Sequence, residues 1–126
     1  MVKSTSARAV AVVALTFLGI GPALADCRTG WFRWGPSYAT QQATMQLPAG
    51  SACRRNLKTL DFVAMQEITV VRAPQHGQAG KASRYEFAYK PKDGYVGPDS
   101  FEIDVSFDYN GRQGHSRLSF DVDVTP

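Results

Sequence analysis

After residue 25 this sequence has no apolar run long enough to span a membrane as a helix, and no stretch with a convincing helical period. That excludes a later transmembrane anchor and an all-α fold. Histidine is scarce: His76 and His115 are the only two. A zinc site would need at least one more good ligand, so metal binding by this pair is not expected. His76, beside Gly77, reads as turn chemistry, and His115 lies near a hairpin loop. There is no G-x-S-x-G elbow and no D-x-D-x-D-G calcium loop. Nothing places two carboxyls across a cleft, as glycoside hydrolysis requires. The chain is therefore read as non-catalytic, with no cofactor.

What is present starts with a leader. Lys3 and Arg8 supply a positive n-region, Ala9 to Ile20 an apolar core, and Ala23-Leu24-Ala25 an A-x-A cleavage site. Residues 1–25 are expected to be a signal peptide, and residues 26–126 a single exported domain, periplasmic or secreted and monomeric. Leu24-Ala25-Asp26-Cys27 superficially resembles a lipoprotein box. Asp26 fits it poorly, because that box wants a small residue before the cysteine.

Cys27 and Cys53 are the only cysteines, an even count in an oxidising compartment. They are expected to form one disulfide, since redox chemistry would want C-x-x-C spacing. Beyond the leader the charge nearly balances, with 12 basic and 11 acidic residues, but unevenly. Residues 26–60 hold five basic residues (Arg28, Arg33, Arg54, Arg55, Lys58) against Asp26 alone. Residues 61–126 hold seven basic and ten acidic residues. A basic end on an acidic body favours anionic glycans or lipid headgroups over nucleic acid, the alternative being a solvated surface with no partner.

Several short strands separated by turns make up the rest. Ala43 to Leu47 reads as a short strand ended by Pro48-Ala49-Gly50, while Arg54 to Leu60 fits either a loop or a strand. Glu67 to Arg72 is dense in β-branched residues and reads as a strand. Ala73 to Gly80 reads as a turn in which Pro74 ends the strand and Gly77 permits positive φ. Tyr85, Phe87 and Tyr89 alternate on one face, as do Phe101, Ile103, Val105 and Phe107. Asn110-Gly111 is a strong hairpin signal, and Leu118, Phe120, Val122 and Val124 alternate in the final strand. This spacing predicts an all-β, antiparallel β-sandwich.

Three segments also carry a resemblance: I-T-V-V-x-x-P-x-H-G-x-A, then Y-x-F-x-Y-x-P-x-x-G-Y-x-G-P-D-S-F, then N-G-x-x-x-x-S-x-L-S-F-D-V-D-V. Together, over residues 67–124, they resemble the bacterial Ig-like/cadherin-like tandem-repeat family. The resemblance implies an immunoglobulin-like sandwich with Pro74 and Gly77 in the first hairpin turn. It also implies a signature loop and strand built from Tyr89, Pro91, Gly94, Tyr95, Gly97, Asp99 and Phe101. No second copy occurs, whereas the family often repeats in long surface proteins. Such modules serve as spacers, appendages or binding domains.

The signature residues have structural jobs that need no ligand. Gly94 and Gly97 are expected to take unusual backbone angles, Tyr95 to cover the end of the core, and Asp99 and Ser100 to bind backbone donors in the turn. Asp93, Asp99, Asp104 and Asp108 are the acids a calcium reading would use, but Asp104 and Asp108 read as outward positions on one strand. A site is better sought on the disulfide-tethered N-terminal arm. There Trp31, Phe32, Trp34 and Tyr38 interleave with Arg33, and Arg54 and Arg55, which follow Cys53, are taken with them as the candidate surface. These residues either pack over a sandwich edge or form a binding surface. The function expected is interaction with a protein or another cell-envelope component. The alternatives are a carbohydrate-binding module using Trp31, Trp34 and Tyr38, and a small periplasmic enzyme or inhibitor.

Overall fold

The computed structural model describes residues 27–57 and 63–126. The leader, its cleavage site, Asp26 and Lys58 lie outside the described residues. Among those described there are eight strands and no helix: β1 (Arg28–Thr29), β2 (Thr40–Pro48), β3 (Cys53–Asn56), β4 (Val63–Arg72), β5 (Gly77–Ser83), β6 (Glu86–Pro91), β7 (Gly97–Tyr109) and β8 (Arg112–Thr125). They form a five-stranded sheet in the order β1-β2-β8-β7-β4 and a three-stranded sheet in the order β3-β6-β5. Of the segment from 54 to 60, Arg54–Asn56 lie in β3 and Leu57 is buried just beyond it, while residues 58–60 lie outside the described residues.

The β7–β8 hairpin organises the molecule because its sequence alternates without a break. Phe101, Ile103, Val105 and Phe107 are buried on β7, and Leu118, Phe120, Val122 and Val124 on β8. The ladder runs from Gly97↔Val124 to Tyr109↔Arg112. It closes at Asn110-Gly111, whose φ values of 52° and 79° are both left-handed, as a two-residue primed turn requires. Phe87 and Tyr89 of the smaller sheet meet Phe101 and Phe120 of the larger one. Ring centroids lie 5.0 Å apart for Phe87–Phe120 and 5.5 Å for Tyr89–Phe101. Rings of this size dominate a core of about 100 residues.

Three expectations are corrected. The first concerns strand direction: β2 runs parallel to β8, from Thr40↔Arg117 to Pro48↔Thr125, so the larger sheet is mixed rather than antiparallel. An alternating stripe such as Ala43, Met45 and Leu47 reads the same in either direction, and no hairpin ties β2 to β8.

The second concerns the turn at 73–80, which is not a hairpin. β4 belongs to the five-stranded sheet and β5 to the three-stranded one, so Pro74 lies on a crossing between layers and β5 already begins at Gly77. The third is that Gly77 is not among the left-handed glycines. Close approach explains it instead. A Cβ there would collide with the Lys90 carbonyl oxygen and lie 2.9 Å from Pro91 Cα. Gly94 and Gly97 do take positive φ, at 79° and 135°.

Candidate functional site

The arm between β1 and β2 alternates although it is not paired as a strand. Trp31 and Arg33 face solvent, Phe32 is half-buried and Trp34 is buried. Inward, the Phe32 ring meets the edges of Phe120 at 5.3 Å and Phe87 at 6.2 Å. Trp34 packs against Phe107 at 6.0 Å. The arm thus covers core from both sheets.

Backbone contacts fix its path. The Gly30 amide donates to the Thr44 carbonyl (2.8 Å), extending the β1–β2 ladder, and the Tyr38 amide donates to the Gly35 carbonyl (2.9 Å). Position 116 is where the apolar stripe of β8 gives way to a buried serine. Its hydroxyl accepts from the Gly35 amide at 2.8 Å and donates to the Gly35 carbonyl at 3.3 Å. A buried hydroxyl needs such a partner, and here it clamps the arm to the sheet.

At the start of the arm, Cys27 and Cys53 are disulfide-bonded, with Cα atoms 5.5 Å apart. Arg55 bridges the same edge: its Nε donates to Thr29 Oγ1 (2.7 Å) and its Nη2 to the Cys27 carbonyl (2.8 Å). Its Nη1 donates to the Arg54 carbonyl (3.1 Å), so every acceptor is neutral.

Outward, Arg33 contacts two rings. Its guanidinium carbon sits 4.5 Å from the Trp31 ring centre and 5.6 Å from that of Tyr38. Its Nη1 also donates to the Tyr38 hydroxyl at 2.8 Å. Contact with both rings, together with this hydrogen bond, holds a side chain that would otherwise lose much entropy on binding. These groups border an open concavity of about 600 Å³, lined by Trp31 to Trp34, Tyr38, Thr29, Gly30, Arg55, Asn56 and Leu57.

The sequence candidates therefore divide. Trp31, 78% exposed, Arg33 and Tyr38 form an outward frame, while Trp34 at 5% and Phe32 serve packing. Arg55 lines the concavity but is committed to the arm. Arg54 is not brought to it, and pairs instead with Glu86 at 3.2 Å. Thr29, Gly30, Asn56 and Leu57 carry no sequence signal that marks them as lining residues, since folding alone places them there.

The signature residues gather elsewhere. Asp99 Oδ1 accepts from the amides of Gln75 (3.0 Å) and Ser100 (2.9 Å). Its Oδ2 accepts from the His76 amide (3.1 Å) and the Tyr89 hydroxyl (2.7 Å). Burial first, and then this bond to Asp99, push the Tyr89 hydroxyl well above the usual phenol range. Tyr95 stacks on His76 at 4.2 Å and donates its hydroxyl to the Pro98 carbonyl. Pro74 and Pro91 are buried, and Phe101 is in the core.

His115 Nδ1 lies 2.7 Å from Asp104 Oδ2 on the exposed face of the large sheet. Beside it, hydrogen bonds from Ser119 and then Arg72, with the charge of Arg117, hold Glu102 below the usual carboxylate range. These are cross-strand pairs of a solvated face. No family model matches the chain, and no curated protein matches it.

Proposed function

We propose that this protein is an exported, non-catalytic immunoglobulin-like module that binds a protein or another cell-envelope component through the outward face of its N-terminal arm. The observation that carries the reading is Trp31, a tryptophan left 78% exposed on an otherwise docked arm, with its partner Arg33 fixed in place. A large aromatic ring held in water by a rigid segment is poorly explained by packing. Tryptophan, tyrosine and arginine are also the residues that concentrate binding energy at interfaces. Two facing sheets, about 100 residues and the cassette at 67–124 support the immunoglobulin-like assignment. The disulfide joins the start of the arm to an edge strand, unlike the central inter-sheet bond of antibody domains. The leader-like residues 1–25 support export.

A carbohydrate-binding reading rests on the same exposed ring. The test is Trp31→Ala on the full chain. Its unfolding free energy should stay within about 0.5 kcal/mol of the parent, as for surface changes generally. Binding to envelope preparations or arrayed glycans should be lost. Unchanged binding would defeat the proposal, and a large stability loss would return Trp31 to a packing role.

A further inference from the structure

We infer that the arm concavity takes a carboxylate-bearing polysaccharide, a chain of uronate-type sugars, with Arg33 as the residue that reads the carboxylate. This rests on the arm being the binding face and adds the chemistry of its ligand. Two guanidinium groups, Arg33 and Arg55, line the concavity, and among the described residues neither forms an ion pair with a carboxylate. Among the described residues no acidic residue lines it. Arg55 directs each of its three nitrogens to a neutral oxygen, so it contributes its charge from a position committed to the arm.

Arg33 differs. Among the described residues only its Nη1 is engaged, by the Tyr38 hydroxyl, so the exposed guanidinium keeps donors for a carboxylate while Trp31 and Tyr38 hold it in position. The Trp31 ring beside it is an exposed flat apolar surface of the kind on which a sugar ring stacks. The guanidinium lies over one face of that ring, and with Trp31 78% exposed the rest of the ring stays open, so cation and apolar surface adjoin as carboxylate and ring do in an acidic sugar.

An acidic peptide would share the charge; an arginine cluster is one way to hold it, and here only Arg33 is uncommitted, while the other is to add it as a strand to an open sheet edge. The neighbouring edge is poorly suited to that. β3 is only four residues long, and Arg55 is drawn across the gap toward Thr29 and Cys27. Short strands and inward charges are how edges resist strand addition. The observations therefore favour the glycan.

The experiment titrates the oxidised full chain with oligogalacturonate and alginate oligomers, following tryptophan fluorescence and calorimetry. Methyl-esterified galacturonan, neutral glucan and poly-glutamate are the comparison ligands. Uronate oligomers should bind, and should weaken as salt rises from low to molar concentration. Arg33→Gln should weaken them roughly tenfold or more, the value of a charge-assisted bond, and Arg33→Lys should restore only part. Arg84→Gln, on an exposed arginine stacked on Tyr85, should change nothing.

Equal binding of the esterified or neutral polymer would overturn the inference, as would an unaffected Arg33→Gln variant or no uronate binding. Poly-glutamate binding as tightly would transfer the site to an acidic protein segment. If uronates fail while Trp31→Ala still abolishes envelope binding, the arm remains the binding face and only its ligand is reassigned.

Discussion

Reduction of the Cys27–Cys53 bond is expected to lower the unfolding free energy by about 3.5 kcal/mol. The bond closes a loop of 26 residues, and the chain-entropy relation gives this figure for a loop of that length. For a domain of about 100 residues that is a fall in melting temperature of roughly 15–25 °C. The effect should not be uniform. Cys27 begins the arm, and its carbonyl is one of the acceptors that hold Arg55. Without the covalent tether, the arm depends on Phe32, Trp34 and the Ser116 clamp to stay docked. Binding through Trp31 should therefore weaken in the reduced chain even below its melting temperature. Guanidinium unfolding of the oxidised chain against a Cys27→Ser/Cys53→Ser variant measures the first effect, and ligand titration of the same pair measures the second. Coincident midpoints would mean that the loop constraint contributes nothing.

How much of this was legible in the sequence depends on the range of the interaction. The stripes of β7 and β8 were legible because alternation is local and the Asn110-Gly111 turn dictates their pairing. The disulfide was legible because two cysteines leave one way to pair. The parallel β2–β8 ladder was not, because Thr40 and Arg117 meet only through the whole fold. Gly77 was legible as a glycine position, but for the wrong reason. Its requirement comes from the backbone of β6 passing close by, which no local pattern records. In the arm, W-F-R-W identified the right segment but not the division of labour. Trp31 and Trp34 are three apart, so in an extended chain they point to opposite sides, and only Phe107 and Phe120 decide which side is inward. Arg54 and Arg55 are adjacent for the same reason and end on opposite faces, one on Glu86 and the other across the arm.

Asp99→Ala is expected to cost about 3 kcal/mol or more without touching the arm. Both carboxylate oxygens are double acceptors, taking three backbone amides and one phenol from β6, the β4–β5 crossing and β7. Bonds to a charged acceptor are worth about 1.5–3 kcal/mol each when measured by removal, and a donor left unpaired carries its own penalty. The crossing between layers has few other ties: the Lys92 amide donates to the His76 carbonyl, and Tyr95 stacks on the His76 ring. Asp99→Asn keeps the shape but sets an amide nitrogen against two donors whichever way it turns, so it should cost about 2 kcal/mol and not rescue. The same network sets an alkaline limit. Tyr89 holds its proton more tightly in the fold than in the unfolded chain, where phenols ionise near about 10. The stability linked to that difference is fully present below about pH 10 and is lost as pH rises above it. Tyr89→Phe should start lower in stability and show a shallower alkaline fall. Uronate or envelope binding by the Asp99 variants, measured well below their melting temperatures, should match the parent. A loss there would join the signature loop to the binding face, whereas stability within about 0.5 kcal/mol of the parent would mean the carboxylate does not hold the layers together.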